Sequence, residues 1–190
     1  MEMDSKTIAT LLVTVTLALI GFLVKYINDL AIARRKDKLE RVNLQLKNLY
    51  GPLYATTQAS EIAWQAFRTR YRPGKPFFRS QPPPNDEELA AWRIWMAEVF
   101  MPMNLRLEKT IVDNGDLIME KSMPECLLRV CSHVAAYKPV MKKWQSGDYS
   151  EFLSLSPYPE DLLGYVESSY SELKAKQAAL LGSLRVKGDE

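Results

Sequence analysis

The sequence predicts an all-α protein in which a single N-terminal transmembrane helix continues into a cytoplasmic helical bundle of four to five helices. Three observations carry that expectation. An uncharged apolar run opens the chain, apolar residues beyond it recur at spacings of three and four, and no segment sustains the period-two alternation of a half-buried strand.

The apolar run is Thr7 to Val24, TIATLLVTVTLALIGFLV. About 20 helical residues cross the ~30 Å hydrocarbon layer of a bilayer, and continuation past Lys25 and Tyr26 reaches that length, which places the span at residues 7–27. A cleaved signal peptide would carry basic charge before a shorter apolar core and a small-residue site after it. Here the order is reversed. Only Lys6 precedes the run, whereas Arg34, Arg35, Lys36, Lys38 and Arg41 follow it. The positive-inside rule therefore puts residues 1–6 outside and the bulk of the chain in the cytoplasm. Within the span, Thr10, Thr14, Ala18 and Gly21 fall at helical spacing. They form a small-residue stripe suited either to close packing between spans or to harmless contact with lipid.

No proline or glycine separates the span from residues 28–50, so the helix is expected to leave the membrane as a basic stem and to end near Tyr50, where Gly51-Pro52 interrupts it. Leu39, Val42, Leu46, Leu49 and Leu53 give the stem an apolar seam, too short for a committed coiled coil and suited to core packing. Residues 51–190 are assigned to the cytoplasmic bundle. Its first helix runs from Leu53 to about Tyr71, and a proline-rich, exposed loop follows at 72–85. Asn85 is the expected N-cap of the next helix, with Asp86, Glu87 and Glu88 in its first turn, where the helix dipole favours acids. Leu89, Trp92, Met96, Val99, Met103 and Leu107 are its expected buried seam, Pro102 its expected kink, and Asn114-Gly115-Asp116 its end. A helix from Pro124 to Trp144 is apolar on more than one face, as a central helix must be. The last begins near Pro159 and buries Leu162, Val166, Leu173, Leu180 and Leu184.

Composition narrows the function classes. Eight glycines, two cysteines and one histidine leave little material for phosphate-cradling loops, disulfide frameworks or histidine-rich metal cages. The net charge of +2 hides an asymmetry: residues 34–79 hold eleven Lys or Arg against three acids, whereas the chain from residue 80 onward is mildly acidic. Basic charge beside the span suits anionic lipid headgroups.

Four clusters are candidate sites. Arg129 and His133 lie one helical turn apart, where both can meet one phosphate, arginine binding oxygens and histidine moving a proton. The run RVCSH resembles the Arg–His motif of the HEPN ribonucleases, which are also helical, although three residues separate the pair here and four to six do in that family. The resemblance implies a membrane-tethered ribonuclease with Arg129 and His133 as catalytic residues. The reading preferred for this pair is a buried histidine satisfied by a neighbour, with Glu125 pairing Arg129 across a turn. Cys126, Cys131 and His133 are the second cluster. Cys126 and His133, seven apart, share a helical face, but the two cysteines, five apart, do not, and no motif supplies the remaining ligands. The cysteines are therefore assigned as apolar core and no metal or other cofactor is expected. In the third, FRTRYRPGKPFFR, the cations Arg68, Arg70, Arg72, Lys75 and Arg79 alternate with Phe67, Tyr71, Phe77 and Phe78. This composition suits lipid headgroups, single-stranded nucleic acid or a nucleotide signal, or else a loop whose rings fold back on the bundle. Fourth, Tyr165, Glu167, Tyr170, Glu172 and Lys174 are expected to form a solvated face.

The stretch LERVNLQLKNLYGPLY, directly after a single span, resembles small bacterial single-pass inner-membrane proteins of unassigned activity that open the same way. The resemblance implies an inner-membrane location and carries no catalytic residue. The function expected from the whole sequence is a membrane-anchored interaction or sensing module that self-associates or binds a protein partner. The alternatives are the tethered ribonuclease and a defence-type effector whose spans disrupt the membrane when a ligand reaches the bundle.

Overall fold

The computed structural model describes residues 4–185, with the side chains of all of these except Thr7, Ser183, Leu184 and Arg185. Expectations for residues 1–3 and for burial at Leu184 lie outside the described residues. No strand occurs among them. The helices are α1 (Ser5–Leu44), α2 (Gly51–Tyr71), α3 (Asp86–Trp95), α4 (Met101–Asp113), α5 (Glu125–Gln145) and α6 (Leu162–Arg185), with a π turn at Gln45–Tyr50 and another at Met96–Phe100. The chain divides into two units, residues up to 41 together with those from 180, and residues 42–179.

The first unit contains the apolar part of α1. One stretch here is long and apolar enough to cross a membrane, with a mean hydropathy of 2.3 and none of the window buried. Leu12, Leu17, Phe22 and Val24 all stand exposed. Thr10, Thr14 and Thr16 donate their hydroxyls to the carbonyls of Lys6, Thr10 and Leu12 at 2.8–2.9 Å. Those hydroxyls are satisfied within the helix, which leaves the threonines presenting methyl groups.

In the second unit α2 packs on α4 and α4 on α5. Buried together are Phe67 of α2, Phe77 of the following loop, Trp92 of α3, Met96 and Phe100 of the second π turn, Met101 of α4, and Val134, Tyr137, Val140 and Trp144 of α5. Each fully buried large apolar side chain contributes about 1.5–3 kcal/mol relative to exposure.

One physical device serves both proline sites, at the first of which the helix was expected to end and at the second to kink. Gly51-Pro52 does not end the first helix, because Leu44, Tyr50 and Gly51 all keep right-handed helical backbone. The Gly51 N–H instead reaches the Leu46 carbonyl, five residues back. Before Pro102 the same device recurs, with the Met101 N–H bonded to the Met96 carbonyl. A proline lacks an N–H and its ring clashes with the carbonyl four residues back; the wider π turn just before it absorbs that conflict while the chain stays helical. Around each π turn the buried positions depart locally from the expected seam, which resumes at Leu49 and Leu53 in the first case and at Leu107 in the second. Gln45 rather than Leu46 is buried in the first case. In the second, Phe100 and Asn104 are buried where Val99 and Met103 were expected, and those two are only half-buried.

Other expectations hold in detail. Asn85 caps α3 through a reciprocal box: its Oδ1 accepts from the Glu88 N–H and its own N–H donates to Glu88 Oε2, both at 2.8 Å. Helix α4 ends at Asp113, and α5 buries residues on several faces, among them Cys126, Leu127, Val130, Val134 and Trp144. The loop at 72–85 is irregular as expected, but it is not simply exposed. Phe77 is in the core and Arg72 is buried beneath it.

Candidate functional site: an aromatic cavity

Within residues 42–179 lies a cavity of about 780 Å³. One wall is α2, whose Thr57, Ser60, Glu61, Trp64 and Arg68 recur at spacings of three and four and so share one helical face. The 72–85 loop adds Phe77, Phe78 and Arg79, α3 adds Trp92, the second π turn adds Met96 and Phe100, and α4 adds Asn104. His133 and Tyr137 of α5 form the far side, and the segment between α5 and α6 closes it with Phe152, Leu153, Ser154, Pro157, Tyr158, Pro159 and Glu160. A concave space of this size, apolar with a few convergent polar groups, is the common form of a small-molecule site.

Its aromatic lining is ordered. Trp64 lies near-parallel to Phe78, with centroids 6.4 Å apart and planes at 13°, and Phe78 near-parallel to Phe152 at 6.0 Å and 16°. Trp92 meets Phe78 edge-on at 5.0 Å. Trp64 and Phe78 are half-buried and Phe152 is exposed, so aromatic surface remains available to a guest.

The polar groups are unusual in lacking partners. Thr57 Oγ1, Arg68 Nε, Asn104 Oδ1 and Tyr158 OH are buried atoms with no hydrogen bond, and all four residues line the cavity. Thr57 and Asn104 are each only 3% exposed. The Tyr158 hydroxyl lies near enough to Thr57 to feel it, but the two do not meet in ordinary hydrogen-bond geometry. Burial pushes the Tyr158 phenol up to about 12, so it stays protonated and can donate. An unpartnered buried polar group typically costs about 1–3 kcal/mol. Four around one space is a concentration that a bound molecule would relieve.

The closing segment at 146–161 is irregular yet pinned. The Trp144 indole donates to the Glu151 carbonyl at 2.6 Å and the Trp92 indole to the Phe152 carbonyl at 2.8 Å. Arg93 sits over the Tyr149 ring at 4.2 Å, and Lys143 pairs with Glu151 at 2.6 Å. His133 Nδ1 lies 2.7 Å from the Ser156 carbonyl. A carbonyl only accepts, so Nδ1 carries the proton and Nε2 is left as the acceptor. Desolvation holds the His133 pKa below its ordinary value, against the opposing effect of that hydrogen bond.

Few of the expected site residues converge. Arg129 binds Asp161 at 2.6 Å and faces Glu125 at 3.8 Å, while His133 turns to Ser156 and packs against Tyr137 and Tyr158. The two are engaged with separate partners. Cys126 and Cys131 are free thiols pushed up by burial, and among the described residues no three or more His, Cys, Asp or Glu side chains gather as a metal site would require. Of the loop cations, Arg70, Lys75 and Arg79 are exposed. Arg72, expected to face lipid or phosphate, is instead buried: it donates to the Pro82 carbonyl at 2.6 Å and pairs with Glu88 at 3.4 Å, because a guanidinium taken from water must saturate its N–H groups. Arg68 and Arg79 reach the cavity. On α1, Arg34, Lys36, Lys38 and Arg41 are exposed and Arg35 is half-buried. Tyr165 and Tyr170 depart from a solvated face as well. Tyr165 OH meets Tyr50 OH and Glu120 Oε2 at 3.2 Å each, and Tyr170 stacks on Tyr54 at 4.8 Å.

Thr57, Trp64, Asn104, Phe152 and Tyr158 were not singled out by sequence reasoning. The one available signal was Asn104, a polar residue in step with an apolar seam once the π turn is counted. No family model, curated protein or solved structure matches the chain.

Proposed function

We propose that this chain is a membrane-anchored sensing module whose helical bundle, formed by α2–α6, takes up a small molecule in the aromatic cavity. The observation that carries the reading is the set of four unpartnered buried polar groups around one space. Structural cores rarely retain such groups, and binding sites hold them ready for a ligand. Every helix from α2 to α6 contributes to the lining, so a guest bridges the whole bundle. Occupancy would add contacts to the 146–161 segment that leads into α6, since Phe152, Leu153, Ser154 and Tyr158 of that segment line the cavity, which gives the bound and empty states different surfaces.

The span in α1 and the basic residues after it support a single membrane crossing with the bundle in the cytoplasm, and the likeness of LERVNLQLKNLYGPLY to small bacterial inner-membrane proteins supports a bacterial inner membrane. The response passes to a second copy or to a protein partner, for which Ile62, Ile94, Val112 and Leu155 are exposed apolar side chains. The test is thermal unfolding of the full-length protein in lipid nanodiscs against a panel of cytoplasmic metabolites. A ligand that binds the folded state raises the melting temperature in proportion to its concentration over Kd. A panel that leaves the transition unmoved, and unmoved equally in Trp64→Ala, would sink the reading.

A further inference from the structure

We infer that the cavity takes a nucleotide, meaning a flat heteroaromatic base joined to a phosphate. The inference rests on the binding reading above and narrows its ligand.

The apolar part of the lining is mostly flat. Trp64, Phe78, Trp92 and Phe152 offer ring faces and edges, and two of the four pair contacts among them are near-parallel. Flat rings with quadrupoles complement a planar guest better than a flexible acyl chain, and base stacking on such rings works for every base.

Charge supplies the second half. The Arg68 Nε is buried without an acceptor. Among the described residues neither Arg68 nor Arg79 makes an ion pair, although Glu61 and Glu160 also line the cavity. Glu61 already accepts from the Gln65 amide at 2.6 Å. A half-buried guanidinium with its Nε–H shielded and unmet favours an anion that can accept several hydrogen bonds, and phosphate does so best.

The remaining groups fit the base and sugar. Asn104 Oδ1 requires a donor, which a ring N–H or exocyclic amine provides, while the Thr57 and Tyr158 hydroxyls can each donate or accept. Inorganic phosphate alone would leave Asn104 and the rings without a partner, and a hydrocarbon would leave all four polar groups unmet. A space of about 780 Å³ accommodates a mononucleotide.

The experiment is equilibrium dialysis of the full-length protein in phosphatidylcholine nanodiscs, with empty discs as the blank. The probes are the four ribonucleoside 5′-monophosphates, the matching nucleosides, and indole as an uncharged flat ring. At least one monophosphate is expected to bind about tenfold or more tightly than its nucleoside, the scale of one charge-assisted hydrogen bond. In Arg68→Gln that advantage collapses to within about threefold, while indole binding is unchanged and reports an intact cavity. Equal binding of nucleotide and nucleoside, or an advantage that survives Arg68→Gln, overturns the inference. Binding of indole alone overturns the nucleotide and leaves the sensing reading standing; binding of no probe removes both.

Discussion

The Trp92 indole N–H donates to the Phe152 carbonyl at 2.8 Å, across sixty positions of sequence. This bond ties α3 to the segment that closes the cavity, and the Trp92 ring lines the same space. Trp92→Phe keeps most of the ring and removes the donor, leaving the Phe152 carbonyl to find water. The expected cost is about 1–2 kcal/mol of stability. Amide exchange should accelerate over residues 150–156 and remain slow in α5, as measured by hydrogen–deuterium exchange. Uniform acceleration across the domain would mean that the bond holds the core rather than the closing segment.

Gly51 and Gly164 both sit in helices and should respond in opposite directions to alanine. A Cβ at Gly51 would clash with the Leu46 carbonyl oxygen, the acceptor of the π-turn hydrogen bond, whereas nothing lies within 4 Å of a Cβ at Gly164. Gly164→Ala should stabilise by about 0.5–1 kcal/mol through the unfolded chain's lost freedom. Gly51→Ala should destabilise by roughly 1–3 kcal/mol, as overpacking does. Urea midpoints of the two variants decide it, and equal shifts would contradict the tight approach at Gly51.

His133 should make stability depend on pH. Its folded pKa lies below the ordinary 6.5, so the unfolded chain binds more protons than the folded one in the window between the two values. Stability is then fullest above about pH 6.5 and declines as the pH falls through that window. His133→Asn can keep a donor for the Ser156 carbonyl without titrating, and it should flatten this part of the profile. Melting temperatures between about pH 5 and pH 8 give the comparison. An unchanged slope in the variant would assign the acid sensitivity elsewhere.

Thr57→Val and Asn104→Leu test whether the unpartnered groups serve a ligand. Each replaces a buried, unmet polar group with an apolar one of similar size. If those groups contribute nothing to the fold, each variant should gain about 1 kcal/mol in the absence of ligand, or roughly 2–4 °C in melting temperature. Loss of stability in both would show that the groups find partners within the folded protein.

Much of the fold was legible in the sequence because it is written locally. The uncharged run from Thr7 to Val24 carries its own hydropathy, Asn85 and Glu88 lie three apart and cap one another, and the seams of α5 and α6 follow the helical period. The π turns before Pro52 and Pro102 were not legible. A proline in a helical pattern reads as a break, as at Pro52, or a kink, as at Pro102, and whether a widened turn absorbs it depends on whether packing on both sides holds the helix together.

What the sequence alone determined is therefore which faces are apolar, where one helix can cross a membrane, and where most helices begin and end. Only the tertiary structure decided which polar groups find partners. Arg72 and Arg68 lie one turn apart in the same basic stretch, yet Arg72 is saturated by Pro82 and Glu88 while Arg68 keeps a buried N–H unmet. The difference comes from groups far along the chain or on the other side of a loop. Local periodicity specifies a face, but the hydrogen-bond balance of a buried atom is the sum over everything that packs around it, and only the assembled core supplies that sum.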